Sequence, residues 1–242
     1  MPPSRLMKSD DPMDWSAALK SYKAALELVA GAKKDPSKLL LLDRWYADGQ
    51  VDIPGCKAMP YSTDFETFIK ICEWKLTRGI FRPGLMQRAQ SNRDQEVEEA
   101  CKRAEAHLQV AAGCNPEDVH GAAVQAVNLL DRTLFGVGPA TASAILARQF
   151  PWAVAFMSDE AMQASGLFSR ATDIKYDIKA FANFNKLVQG KADSLNKKLG
   201  KCAWTGDAVA RALWAHHHLG SQRVIKRPST NSTGPSTKRS RT

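Results

Sequence analysis

The stretch LFGVGPATASAIL, residues 134–146, says most about how this chain folds. Apolar residues recur at helical spacing in the preceding segment, from Val124 to Leu130, so a helix is predicted to run into two glycines. Gly136 and Gly138 can adopt positive φ at little cost and let another backbone come close. Pro139 then fits the first turn of a second helix, whose apolar residues form a buried stripe. The stretch therefore predicts two packed helices joined by a tight turn.

Helical periodicity also dominates the rest of the sequence. Apolar residues repeat at steps of three and four in two further segments, Trp15, Leu19, Tyr22, Leu26 and Val29 in the first and Phe65, Phe68, Ile69, Cys72 and Leu76 in the second. Three helix starts are predicted from capping residues: Thr63 with Glu66, Asn115 before Pro116, and Thr205. The alternation typical of a strand persists nowhere for more than a few residues. We therefore predict an all-α helical bundle.

Composition divides the chain into three predicted segments. Hydrophobic residues make up 44% and charged residues 24% of the 242 positions, which is ordinary globular usage. Turn-forming residues are concentrated at 48–62, so a helical N-terminal extension (1–60) is predicted to precede the main helical domain (61–220). Residues 221–242 contain almost nothing apolar to offset the entropy of ordering them, which predicts a disordered basic tail.

The formal net charge of +9 is unevenly distributed. Six of the 34 basic side chains lie in residues 221–242, which contain no Asp or Glu. The other 28 are set against all 25 acidic side chains, so residues 1–220 carry a net charge of only +3. Any contact between this body and DNA must therefore come from a local patch or from backbone donors.

Several protein classes are not expected from the sequence. No apolar run approaches the ~20 residues that cross a bilayer, and the N-terminus lacks the apolar segment of a signal peptide. The cysteines contain no C-x-x-C pair and are scattered along the chain at Cys56, Cys72, Cys101, Cys114 and Cys202. A zinc ribbon or a cysteine-ligated iron-sulfur cluster is therefore disfavoured. We predict no metal, no cofactor and no membrane partner.

The tail has the spacing of a bipartite nuclear import signal. Lys226 and Arg227 are followed by ten residues and then by Lys238, Arg239 and Arg241. Two cationic clusters on an extended linker are the pattern that an import receptor binds. A nuclear location is therefore predicted, the alternative being a generic solubilising or DNA-tethering tail.

The turn resembles the helix-hairpin-helix motif of DNA repair and DNA processing proteins, through the pattern L-x-G-V-G-P-x-T-A. Such a turn directs free N–H groups and the positive end of a helix outward, which suits a phosphate oxygen. The resemblance implies that Gly136, Val137 and Gly138, with Thr141 nearby, bind the DNA backbone. Because phosphate contacts do not read bases, this binding is sequence-independent. The alternative is a tight turn that serves only the packing of two core helices.

Asp159 is similar in position to the catalytic Asp of the helix-hairpin-helix DNA glycosylase superfamily. That carboxylate stabilises an oxocarbenium-like sugar after the base is flipped out. Members with lyase activity carry a Lys where this chain has Ala140, and the iron-sulfur branch has cluster cysteines that are absent here. The alternative is that Ser158 and Asp159 only cap the next helix, and Glu160 is a second possible carboxylate. The sequence leaves catalysis open, and the lack of a second catalytic group favours a non-catalytic scaffold.

A basic and aromatic segment, EWKLTRGIFRP at residues 73–83, supplies further candidates. Lys75, Arg78 and Arg82 alternate with aromatic residues, a pattern typical of a nucleic-acid surface. The segment resembles the W-K-L-T-R-G-x-F-R-P signature of a poorly characterised eukaryotic family of helix-hairpin-helix proteins, over about residues 62–220, for which no activity carries over. The alternative is that Trp74 and Phe81 are core residues and that the cationic heads reach solvent.

Three functions follow from these observations. The first is a nuclear protein that binds DNA without sequence specificity, with DNA repair as the process that the resemblance implies. The second is a monofunctional DNA glycosylase that uses Asp159. The third is a helical adaptor whose partners are proteins. The predicted partners are DNA and, through the tail, a nuclear import receptor.

Overall fold

A computed structural model of the chain describes residues 4–50, 63–80, 82–168 and 170–225. These ranges contain no β-strand, so the predicted all-α class is confirmed. The helices are α1 (Arg5–Lys8), α2 (Pro12–Lys20), α3 (Tyr22–Gly31), α4 (Pro36–Asp48), α5 (Phe65–Arg78), α6 (Leu85–Gln90), α7 (Asp94–Ala111), α8 (Pro116–Thr133), α9 (Pro139–Gln149), α10 (Asp159–Ser165), α11 (Ile178–Leu199) and α12 (Gly206–Ile225), with a 3-10 turn at Ala171–Asp173. No helix in the described ranges is long and apolar enough to span a membrane.

The boundary of the predicted tail is corrected by α12. This helix continues to Ile225 and so includes the first five residues of the predicted tail, 221–225. The import residues Lys226, Arg227, Lys238, Arg239 and Arg241 lie outside the described residues, as does Phe81. The import signal therefore stays a prediction.

Helices α9 and α12 lie at the centre of the bundle. Every residue of α9 from Pro139 to Ala147 is buried. A helix whose side chains are apolar or small on every face belongs inside a core. The alanines of α9 allow α5, α8 and α11 to pack closely against it. Helix α12 buries Leu213, Trp214 and Ala215, and packs against α2, α3, α10 and α11.

The N-terminal helices share this core. The carboxylate of Asp43 on α4 is buried and accepts hydrogen bonds from the hydroxyl of Tyr22 (2.8 Å) and from Nε1 of Trp74 on α5 (3.0 Å). The fully buried Trp15 on α2 packs edge-on against Trp204, with 6.4 Å between ring centroids. Residues of the predicted extension thus contact the predicted main domain through polar and aromatic groups.

A helix begins near each of the three predicted positions, and two of the three predicted caps are confirmed. The side chain of Asn115 accepts hydrogen bonds from the first turn of α8, and Oγ1 of Thr205 accepts one from the backbone N–H of Ala208. The capping box predicted at Thr63 is wrong, because Asp64 caps α5. The Thr63 hydroxyl instead donates to the carboxylate of Glu105, 3.0 Å away.

An irregular segment, residues 150–158, crosses the helical core between α9 and α10. Its backbone is hydrogen-bonded by three buried polar side chains from three helices, which are Ser143 on α9, Asn185 on α11 and Asp207 on α12. Asn185 both accepts from the N–H of Ala155 and donates to the carbonyl of Ala153, at 2.9 Å in each case. Since buried backbone groups need partners, these side chains allow a non-helical segment to lie inside the core.

Replacing Asn185 tests this arrangement. Asn185→Ala leaves one buried N–H and one buried carbonyl without partners, so we expect it to lower the free energy of unfolding by about 2–4 kcal/mol in a urea titration. Asn183→Ala, on the exposed side of the same helix, is the matched control and should change stability by less than about 0.5 kcal/mol. Equal effects of the two substitutions would contradict a structural role for Asn185.

Candidate functional site

A pocket of about 220 Å³ lies where the end of α5, the turn before α9 and the start of α10 meet. It brings together residues predicted from three separate stretches of sequence, namely Lys75, Arg78, Arg82, Gly136, Gly138, Thr141 and Asp159. Ala140, Glu160 and Tyr176 also line it. The candidate binding and catalytic residues are therefore spatial neighbours, although up to 84 positions separate them in the chain.

The two glycines of the turn have different roles. Gly136 has a φ of 79°, and a Cβ atom there would lie 2.7 Å from Cβ of Arg88 on α6. Glycine is therefore required at position 136, because the backbone has a positive φ and because a side chain would collide with Arg88. Gly138 has a φ of −94° and a ψ of 177°, which any residue adopts, and a Cβ there would have no neighbour within 4 Å. The absence of a side chain at Gly138 instead leaves the start of α9 open.

The start of α9 presents unused backbone donors. The N–H groups of Gly136, Gly138 and Ala140 form no hydrogen bond to any described residue, and all three residues line the pocket. Gly138 caps α9 without a side-chain hydrogen bond, so the positive end of the helix dipole is not neutralised locally. An anion is the ligand that such a helix start favours.

The backbone N–H groups of Val137 and Thr141 are already used inside the turn. Both residues are buried, and the N–H of Val137 donates to the carbonyl of Leu134 at 3.3 Å. The N–H of Thr141 donates to the carbonyl of Gly138 at 2.8 Å. The free backbone donors therefore belong to the glycines and to Ala140, and Thr141 lines the pocket with its side chain only.

Arg78 is also turned inward, in contrast to the exposed cation that the sequence suggested. Arg78 is only 4% exposed. Its guanidinium carbon lies 4.1 Å from the ring centroid of Trp214 and 5.3 Å from that of Phe156. Attraction between the cation and these aromatic faces stabilises a charge that is removed from water. Arg78 therefore forms part of the wall of the pocket and is not an open phosphate contact.

Lys75 and Arg82 are the two predicted cations that reach the mouth of the pocket. Arg82 is exposed, and its guanidinium carbon lies 4.8 Å from the ring centroid of Tyr176. Lys75 is half-buried, and burial lowers the pKa of its amine. The pocket thus carries positive charge on the side formed by α5 and the segment that follows it.

Asp159 faces the pocket and does not cap α10. The cap is Ser158, whose side chain accepts a hydrogen bond from the N–H of Ala161 at 3.3 Å. The Asp159 carboxylate accepts a hydrogen bond from the hydroxyl of Tyr176, at 2.8 Å. Burial raises the pKa of the Asp159 carboxyl, while the Tyr176 hydrogen bond and the charges of Arg82 and Lys75 oppose that rise. The expectation that Ser158 and Asp159 both act as caps is therefore correct for Ser158 only.

Tyr176 is the site residue that sequence reasoning missed. It lies beyond the 3-10 turn at Ala171–Asp173, in a stretch with no recognisable motif. Burial and the neighbouring Asp159 raise the pKa of its hydroxyl to about 12, so the hydroxyl is protonated and donates at neutral pH. Only the tertiary fold identifies it as a partner of Asp159.

A scan against protein-family models, a search of curated proteins and a search of solved structures each find no match to this chain. The helix-hairpin-helix glycosylase superfamily and the W-K-L-T-R-G-x-F-R-P family therefore stay resemblances based on the motifs quoted above. Among the described residues, no group of three His, Cys, Asp or Glu side chains is arranged to hold a metal ion.

The raised pKa of Asp159 has a measurable consequence for stability. The folded state binds the proton more tightly than the unfolded state, so stability from this group is present at low pH and is lost as pH rises through the raised pKa. Asp159→Asn keeps an acceptor for Tyr176 and removes the charge. We expect the variant to unfold at a higher temperature than wild type at pH 7, with the difference closing below about pH 4.

Asp173→Asn is the control of opposite sign. A hydrogen bond from Arg170 lowers the pKa of the exposed Asp173 carboxyl, so its ionised form favours the folded state and this substitution should slightly lower the melting temperature at pH 7. If Asp159→Asn also lowers the melting temperature at pH 7, the Asp159 carboxylate does not destabilise the folded state.

Proposed function

We propose that this protein binds the sugar-phosphate backbone of DNA without sequence specificity, and that α8, the turn and α9 act as a helix-hairpin-helix. The observation that carries the proposal is the set of unused N–H groups at Gly136, Gly138 and Ala140, at the open start of a buried helix. A phosphate oxygen satisfies such donors and the helix dipole together.

The charges around the turn support the same ligand. Lys75 and Arg82 line the pocket next to these donors, and Arg88 and Arg132 are exposed on the groove on the other side of the turn. The body as a whole carries a net charge of only +3, so local cations and backbone donors contribute the attraction. An apolar protein partner would leave these N–H groups and cations without acceptors.

Gly138 offers a clean test, because its conformation and surroundings accept a side chain. Asp and Asn are both good helix caps, so Gly138→Asp and Gly138→Asn should fold as stably as wild type. Only Asp adds a negative charge where phosphate would lie. For the full-length chain we expect Gly138→Asp to bind duplex DNA roughly tenfold more weakly, a loss of about 1.4 kcal/mol.

The measurement is fluorescence anisotropy with a labelled duplex at several salt concentrations. Gly138→Asn should fall between wild type and Gly138→Asp, and the salt slope of the Asp variant should decrease by about one for each phosphate that the variant no longer neutralises. If a folded Gly138→Asp variant binds DNA as tightly as wild type at every salt concentration, the turn is not the DNA contact and the adaptor hypothesis takes its place.

A monofunctional DNA glycosylase is the second candidate, and the position of Asp159 favours it. The carboxylate lies in the same pocket as the start of α9, so a sugar held by its phosphate at the turn would lie close to it. A carboxylate in that position stabilises a sugar cation and orients water. Ala140 supplies no amine at the turn for a covalent intermediate.

Base release from duplexes that carry a panel of lesions separates the two candidates. A binding scaffold releases no base, and this is the outcome we expect. If wild type does release a base, Asp159→Asn should reduce that release by several orders of magnitude while DNA affinity is preserved. Release that is equally fast in both proteins would remove Asp159 from the mechanism.

The proposed location is the nucleus. The two basic clusters at 226–227 and 238–241 follow directly after α12, and their spacing suits an import receptor. A tail that also contacts phosphates would add sequence-independent affinity to that of the body.

A further inference from the structure

Phe135 exposes an aromatic ring from a backbone that is held by hydrogen bonds. It lies in the turn between α8 and α9 and is 60% exposed. Its backbone is fixed by Asn92, whose Oδ1 accepts from the Phe135 N–H at 2.8 Å and whose Nδ2 donates to the Phe135 carbonyl at 2.9 Å. Asn92 is itself anchored to the carbonyl of Ala89 at 2.8 Å. A fixed backbone reduces the conformational entropy that a binding event would cost.

The surroundings of Phe135 are cationic. The guanidinium carbon of Arg88 lies 5.8 Å from the ring centroid, and the exposed Arg132 lines the same shallow groove. Asp131 is the one carboxylate among the residues that line this groove, and burial raises its pKa. Gly136 and Gly138, two of the three residues with unused N–H groups, border both this groove and the pocket.

These features favour a nucleic acid over an apolar protein surface as the occupant. An apolar partner would bury the ring and leave Arg88, Arg132 and the free N–H groups without acceptors, at a cost for each buried group. A nucleic-acid strand offers phosphates to the arginines and the N–H groups, and a base to the ring. Stacking of a base on an aromatic side chain is the interaction that single-strand binding proteins use.

We infer that Phe135 stacks on an unpaired or terminal base, so that the turn selects DNA with an interrupted strand over intact duplex. This inference rests on the proposed function, because it needs the backbone to be bound at the same turn. In intact duplex each base face is already stacked on its neighbours, and separating a step costs energy that the ring must repay. At a gap or in a single strand a base face is already available.

The experiment compares binding of the full-length chain to an intact duplex, the same duplex with a one-nucleotide gap, and the corresponding single strand. Wild type should prefer the gapped duplex by roughly tenfold, because stacking of one base contributes about fivefold to 150-fold. Phe135→Ala should lose the preference and keep its affinity for intact duplex within about twofold. Phe135→Trp should retain the preference. Val110→Ala, at an 82% exposed position on α7, is the control for removal of an exposed apolar group.

A fluorescent base analogue placed at the edge of the gap reports stacking directly. Its emission should be quenched by wild type and by Phe135→Trp but not by Phe135→Ala. If Phe135→Ala keeps the gap preference, or if wild type shows none, the inference is overturned. The proposed function is judged separately, since Gly138→Asp should weaken binding to all three DNAs by a similar factor and leave the preference intact. If Gly138→Asp binds all three DNAs as tightly as wild type, the proposed function is overturned. Phe135 would then have no strand bound at the turn to select.

Discussion

The hydrogen bonding of the irregular segment between α9 and α10 is the constraint on which the site depends. A non-helical backbone inside a helical core has to find partners for its N–H and carbonyl groups. Ser143 binds the backbone of Met157, and Asp207 binds that of Phe156. Asn185 binds the backbone of both Ala153 and Ala155. Because Ser158 and Asp159 follow at once, these three side chains also fix where α10 begins.

The same constraint connects the two halves of the pocket. Ser143 lies on α9, five positions after the Gly138 cap, and its hydroxyl accepts from the N–H of Met157, two positions before Asp159. One short helix therefore carries the free donors at its start and, through Ser143, holds the segment that leads to the carboxylate. Since every residue of α9 from Pro139 to Ala147 is buried, neither end of this connection can shift without disturbing the core.

Capping and turn residues predicted where the helices around the turn begin. Contacts between residues far apart in the sequence determine which side chains reach the pocket. The start of α8 at Asn115 and Pro116 and the start of α9 at Pro139 follow from residues within a few positions of each other. The inward turn of Arg78 depends on Trp214, which is 136 positions away, and the Tyr176 partner of Asp159 depends on a loop without a motif. Periodicity describes which face of a helix is apolar, but it does not identify the helix that covers that face.

Carboxylates lie on both sides of the turn for which we propose phosphate binding. Asp159 borders the pocket on one side of Gly138, and Asp131 borders the groove on the other. Burial raises the pKa of both carboxyls, so each is ionised less readily than it would be in water. Arg82 is exposed at the pocket, and Arg88 and Arg132 are exposed at the groove. On the pocket side Asp159 and Glu160 offset Lys75 and Arg82, while on the groove side two exposed arginines face one carboxylate, so the proposed phosphate contact depends on the groove arginines and on the backbone donors between the two surfaces.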